Sequence, residues 1–208
     1  MGIAIRRIAV GQLEVNCYIV SDDAEAMVID PGDEPDRILD YITEKGLKLV
    51  KILCTHTHFD HIGALPDLKE AFLNASVQMH KDEVVIYKMA KDMAAVWGFQ
   101  IDPMPEPDVL LSEGSEVVVG GITFKVLHTP GHTPGGICLY GAGNLISGDT
   151  LFAGSVGRTD LPGGNMPALK TSFKRLMTLP SDTKVLPGHG PTSTIADELS
   201  NNFFNYEI

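Results

Sequence analysis

Residues 55–61 read Thr55-His56-Thr57-His58-Phe59-Asp60-His61, three imidazoles and a carboxylate crowded behind the apolar run 49–55. That run has the length and composition of a buried strand. On extended backbone, residues two apart share a face, so His56 and His58 can converge on one cation. A turn at Phe59 then aims Asp60 and His61 at another. Imidazole and carboxylate are ligands that zinc and iron accept, and a four- or five-coordinate site needs more of them from elsewhere in the chain. Three segments offer them: Thr129-Pro130-Gly131-His132-Thr133, Ser147-Gly148-Asp149-Thr150 and Pro187-Gly188-His189-Gly190, each closing a predicted strand. In each, a glycine before the His or Asp permits a tight loop. A lone His or Asp in such a loop reads as a turn residue. The dense cluster followed by three further His/Asp loops reads instead as a ligand set for two metals.

Working outward from the cluster, the spans 3–10, 16–21 and 26–30 are short β-rich runs separated by Gly11 and Asp22-Asp23, an antiparallel meander. Asp30-Pro31-Gly32 ends the last of them. Ile38, Leu39 and Ile42 mark a helix over 35–45, and residues 64–72 form a second short one, followed by a strand at 76–79. A longer helix over 81–97 carries Val85, Met89, Met93 and Val96 along one side; core packing is the default reading of this stretch, with Trp97 and Phe99 included. The sharper reading is a lip over the site or a contact between subunits, because the Pro-rich loop 102–107 follows. Strands at 116–119, 122–128, 136–140 and 144–147, a helix at 167–178, a strand at 184–187 and a helix at 195–202 complete the chain. Two halves, each giving strands and then helices, predict an α+β protein with two sheets face to face and helices outside, a four-layer αββα sandwich. No linker-like composition divides residues 1–208, so one domain is expected.

Lys and Arg number 16 against 27 Asp and Glu, a formal net charge of −11. Such a balance repels phosphate backbones and anionic lipid, which argues against nucleic acid and membrane as partners. Cys17, Cys54 and Cys138 share no metal-binding spacing and read as buried structural thiols. No secretory leader is legible at residues 1–10 and no apolar run is long enough to span a bilayer, so the expected location is the cytoplasm. His128 reads as a hydrogen-bonded structural residue, and His80 receives no metal role.

The THxHxDH segment with isolated downstream His, Asp and His resembles the metallo-β-lactamase superfamily along nearly the whole chain. The resemblance implies that His56, His58 and His132 hold one metal, that Asp60, His61 and His189 hold the second, and that Asp149 bridges them. It further implies two divalent ions, zinc first and iron or manganese as alternatives, with Asp60 and Asp149 acting catalytically through the metals. Residues 148–155, the Gly157-Arg158-Thr159-Asp160 string and residues 187–194 are similar to the short bacterial glyoxalase II-like group. A thioesterase is the implied activity, cleaving S-acylglutathione-type thioesters with a hydroxide shared by the two ions. The long glyoxalase II enzymes carry a helical C-terminal extension with glutathione contacts, whereas 18 residues follow Gly190 here. Arg158 is the candidate substrate-binding residue, able to grip a carboxylate or else to pair with Asp160. The expected partner is a small thioester, and self-association into a homo-oligomer is compatible with the sequence. Two other enzymes share the pattern: persulfide dioxygenases, which resemble this family and use a single iron, and lactonases. A non-catalytic binding module would not need the full ligand set.

Overall fold

The computed structural model describes residues 3–207. The runs broken by Gly11 and Asp22-Asp23 form the expected meander, with β1 (Ala4–Val10), β2 (Val15–Ser21) and β3 (Glu25–Ile29) successively antiparallel. Asp22 closes the second turn by accepting the amide protons of Ala24 and Glu25 at 2.9 and 2.8 Å. Beyond β3, helical crossovers add parallel strands, as parallel pairing requires. Helix α1 (Pro35–Glu44) leads to β4 (Lys48–Leu53). The short α2 (Phe59–Ile62) and α3 (Leu65–Ala71) lead to β5 (Ser76–His80). Helix α4 (Val84–Val96) then leads to β6 (Val109–Leu111), which completes a six-stranded sheet in sequence order.

The second sheet begins with four antiparallel strands, β7 (Glu116–Val119), β8 (Ile122–His128), β9 (Ile137–Gly141) and β10 (Asn144–Gly148). A hairpin of β11 (Leu151–Phe152) and β12 (Ser155–Val156) and the helix α5 (Met166–Leu176) follow. The strand β13 (Lys184–Pro187) then returns parallel to β10. The edge strand β14 (Ser193–Thr194) runs into α6 (Ile195–Asn201), giving the order β14-β13-β10-β9-β8-β7. Thr194 and Asp197 cap α6 reciprocally, each side chain bonding the other's backbone amide.

Three apolar layers separate four structural ones. Ile38, Ile42, Leu65 and Leu68 of α1 and α3 pack with Val28, Ile52 and Val77 on the outer face of the first sheet. Tyr18, Val20, Met27 and Leu53 meet Phe124, Val126, Leu139 and Ile146 between the sheets. Leu169, Phe173 and Leu176 of α5, with Ile195 and Phe204, cover the second sheet. The alternation of apolar residues along the strands dictates this, since each sheet needs cover on both faces. The architecture is the αββα sandwich that the sequence predicts.

The face of α4 departs from expectation. Its buried residues are Ile86, Tyr87, Ala90 and Ala94, while Val85, Met89 and Val96 are exposed. The larger side chains suggested the wrong stripe; the two alanines sit on the inner side of the helix instead. Strands β6, β11, β12 and β14, each two or three residues long, carry too few positions for alternation to show. All three cysteines are buried and free, as expected. Among the described residues no helix is long and apolar enough to cross a membrane. His128 is the structural residue anticipated: its ring faces the Pro134 carbonyl at 2.9 Å and stacks on His80 with centroids 4.0 Å apart.

Candidate metal centre

The loops after β4, β8, β10 and β13 meet at one end of the sandwich and bring all seven expected ligands together. His56, His58 and His132 form one trio of mutually close donors, and Asp60, His61 and His189 another. Asp149 stands between them. One carboxylate oxygen lies 3.5 Å from Nε2 of His61, and the other lies 3.6 and 3.7 Å from Nε2 of His132 and of His189. His58 stays extended and caps α2, whose first turn swings Asp60 and His61 away from the first trio. The turn expected at Phe59 is thus one turn of helix.

Hydrogen bonds behind the rings set their direction. His132 Nδ1 faces the Arg158 carbonyl at 2.7 Å, and His189 Nδ1 faces the Leu13 carbonyl at 3.0 Å. His61 Nδ1 faces the Asp30 carboxylate at 3.1 Å. An acceptor opposite Nδ1 requires the proton there, so in the neutral ring the lone pair of Nε2 points into the site. These partners, and Asp30 above all, escaped sequence reasoning. Asp30 also accepts the Thr55 amide and hydroxyl protons at 2.7 and 2.6 Å.

The donor set suits cations. Nε2 of His56, His58 and His132 and Oδ1 of Asp149 are buried without hydrogen-bond partners, an expensive state unless something positive satisfies them. Nε2 of His61 lies 3.3 Å from Nε2 of His189, where two lone pairs cannot face each other without a proton or metal between them. Burial pushes the His56 imidazole well below its usual range, helped by the His61 and His132 rings, and takes His58 down to about 3. Burial also opposes charge on His61, but Asp149, Asp60 and Asp30 outweigh it and raise that ring to about 10. Burial works against ionisation of Asp60 too, yet His61 and His189 beside it hold its carboxyl far below the ordinary range. His56 and His58 thus offer neutral nitrogens, and the second trio attracts positive charge.

Above the ligands opens a cavity of about 480 Å³, floored by His58, His132, Asp149 and His189 and walled by Leu13, Met93, Trp97, Phe152 and Leu161. Met93 and Trp97 therefore belong to the lip, and Phe99 packs on Phe59 at 5.2 Å. Arg158 also lines the cavity; its guanidinium is held by Asp160 through two 2.7 Å bonds and lies 5.9 Å from the Trp97 ring. The local ion pair is thus the arrangement present.

Close approach at Gly188 keeps Asp149 in place: a Cβ there would run into the Asp149 carboxylate and stand 2.9 Å from Cε1 of His61. Gly188→Ala is expected to displace both side chains and lower metal content per chain, measured by elemental analysis, with the backbone fold retained by circular dichroism. Full metal content in this variant would contradict the packing described.

Two facing mixed sheets with helices outside, and His and Asp side chains gathered on the loops at one end where they could hold metal ions, define a class of metal-binding αββα proteins. The sequence profile of the metallo-beta-lactamase superfamily matches residues 10–189, and the chain belongs to that superfamily. It is 46% identical to an uncharacterized protein of Aquifex aeolicus, with 98% of each chain covered. It is 39% identical to a probable metallo-hydrolase of Bacillus subtilis, with 96% of each covered. It is 34% identical to the hydroxyacylglutathione hydrolase GloC of Haemophilus influenzae, covering 96% of this chain and 97% of that one. Among solved structures, a protein in a di-iron-bound form superposes with a TM-score of 0.89 at 42% identity, covering 96% of this chain and 99% of that one. The BLEG-1 B3 metallo-beta-lactamase gives 0.88 at 34% identity, with 97% and 99% covered. ETHE1 from Myxococcus xanthus gives 0.81 at 31% identity, with 96% and 83% covered.

Proposed function

We propose that the protein is a two-metal hydrolase of thioesters of the S-acylglutathione kind, with His56, His58 and His132 holding one ion, Asp60, His61 and His189 the other, and Asp149 both. The placement of Asp149 within 3.5 to 3.7 Å of histidines from both trios carries this reading. Two divalent ions, when bound, supply hydroxide near neutral pH and polarise the scissile carbonyl. The chain's residues do the rest. Asp149 presents acceptor oxygens between the two trios and Asp60 presents one beside His61 and His189, where they can orient an attacking water. The apolar walls offer a surface on which an acyl group can seat. Apart from the expected ligands, Arg158 is the one charged side chain among the described residues lining the cavity, so no acid stands ready to protonate a leaving group. A thiolate needs none, because it leaves at a far lower pKa than an amine.

The hydroxyacylglutathione hydrolase relative, at 34% identity over nearly its full length, supports the thioester reading. Zinc is the first expectation for the metal; the di-iron form of a 42% identical relative supports iron as the alternative. A lactonase would use the same machinery on an ester. Oxidation of a persulfide on a single iron would draw on histidines of the first trio and Asp149 but leaves the second trio without a role, and so ranks below hydrolysis. The substrate is read as a small molecule, since the net charge of −11 disfavours nucleic acid and anionic membranes. Residence in the cytoplasm agrees with three unpaired, buried cysteines.

Hydrolysis of S-D-lactoylglutathione, followed as loss of thioester absorbance, tests the assignment. Metal-loaded protein is expected to turn over, to stop when a chelator removes the metal, and to recover on reloading. Protein that carries two ions per chain and leaves the thioester intact would refute the assignment and direct the search to oxygen uptake with glutathione persulfide.

A further inference from the structure

Behind the histidine-rich segment lies a buried carboxylate that none of the expected ligand contacts uses. Glu83 follows His80 in the short turn before α4, has 0% exposure, and enters no ion pair among the described residues. Burying a carboxylate without a cation beside it is costly unless donors satisfy its lone pairs. Three do. One oxygen accepts the amide and hydroxyl protons of Thr57, both at 2.9 Å, and the other accepts the Gly135 amide proton at 2.8 Å.

Both donor residues are tied to the first trio. Thr57 stands between His56 and His58, and its side chain turns to Glu83 while theirs converge with His132. Gly135 lies three residues beyond His132 and approaches so closely that a Cβ there would sit 2.5 Å from the Glu83 backbone nitrogen. The pattern on the other side is parallel: Asp30 takes the amide and hydroxyl of Thr55, but its further contact is the His61 ring, in the second trio. Two buried carboxylates thus brace the segment from behind: Glu83 bonds Thr57 and Gly135 beside the first trio, whereas Asp30 meets the His61 ring directly and the His56 ring through the Thr55 hydroxyl, 3.2 Å from Nδ1 of His56.

We infer that Glu83 is a positioning residue for the three-histidine site, clamping the segment that carries His56 and His58 to the loop that carries His132. The inference rests on the two-metal reading. A clip with a merely structural role would lower stability and weaken both sites alike. The clamp acts on one of them.

Cobalt(II) binding separates these outcomes, read from its visible absorption and from equivalents bound per chain. Wild-type protein is expected to take up two equivalents with distinguishable spectra, and His132→Ala identifies the component belonging to the three-histidine site. Glu83→Gln keeps the side chain's volume but turns an amide NH₂ toward one of the three donors. It is expected to weaken that same component about 10- to 100-fold and leave the other equivalent at wild-type affinity. Thr57→Val removes one donor of the three and is expected to weaken the same component by less; it carries the comparison if the Glu83 variant does not fold. Equal weakening of both equivalents, or wild-type affinity for both, would overturn the inference. A wild-type chain that binds fewer than two equivalents overturns the two-metal reading, and this inference with it.

Discussion

Asp149→Ala is expected to lower kcat/KM for a thioester substrate by about 10³-fold or more, beyond the 10- to 100-fold typical of residues that only hold a metal ligand in place. Among the described residues Asp149 is the one whose oxygens approach His61, His132 and His189 together, so its removal takes a contact from each trio. The position is built for it. The ladder of β10 with β13 shifts register between Ile146 and Gly148, which turns the chain out of the sheet one residue before the carboxylate. The variant protein should bind fewer than two ions per chain by elemental analysis, while its far-ultraviolet circular dichroism stays that of wild type. Asp149→Asn refines the test: shape is kept and one negative charge is lost, so metal content should fall between wild type and Asp149→Ala. Two ions per chain with wild-type turnover in Asp149→Ala would remove the central role given to this carboxylate.

All seven residues that meet at the centre stand out in the sequence, because ligand chemistry restricts them to His and Asp and each sits where an apolar run stops. Local pattern suffices there. The residues that aim them do not stand out. Asp30 reads as the first residue of an Asp-Pro-Gly turn, and its contacts with Thr55 and His61 exist only because β3 and β4 pair in parallel with Ile29 opposite Leu53. Glu83 reads as one more acid at the start of a helix. Its partners Thr57 and Gly135 lie 26 and 52 residues away and come together only in the closed sandwich. Arg158 and Asp160, two apart in a loop, left two readings open, and only coordinates distinguish a guanidinium free for substrate from one already paired. The inward face of α4 failed for a related reason. Ala90 and Ala94 carry little hydrophobic signal, yet they face the core beside Tyr87, whose hydroxyl bonds to the Pro105 carbonyl.

The second large effect is expected at Asp30, a residue that touches neither cavity nor substrate. Its backbone is in the left-handed region, φ 52°, a conformation that Asp tolerates better than most side chains but that still costs of the order of 1 kcal/mol. Three side-chain contacts, to the Thr55 amide, the Thr55 hydroxyl and the His61 ring, offset that cost. Asp30→Asn preserves volume and leaves a carbonyl to accept from the Thr55 amide. The atom facing His61 then becomes an NH₂, a donor opposite a donor. The imidazole answers by moving its proton from Nδ1 to Nε2, which removes the lone pair directed at the second trio. Metal affinity at that trio should fall about 10- to 100-fold, and the three-histidine site should weaken by less, because the same NH₂ faces the Thr55 hydroxyl that bonds Nδ1 of His56. Asp30→Ala should do at least as much damage and also lower the Tm, since it leaves the buried Thr55 amide unsatisfied, at about 1–3 kcal/mol, and the Thr55 hydroxyl with the His56 ring as its partner. Isotope-edited NMR of the histidine ring nitrogens in diamagnetic, zinc-loaded protein reports the tautomer directly. His61 protonated at Nδ1 in Asp30→Asn, with both metals bound at wild-type affinity, would show that the ring is oriented by the metal alone and that Asp30 serves only the turn.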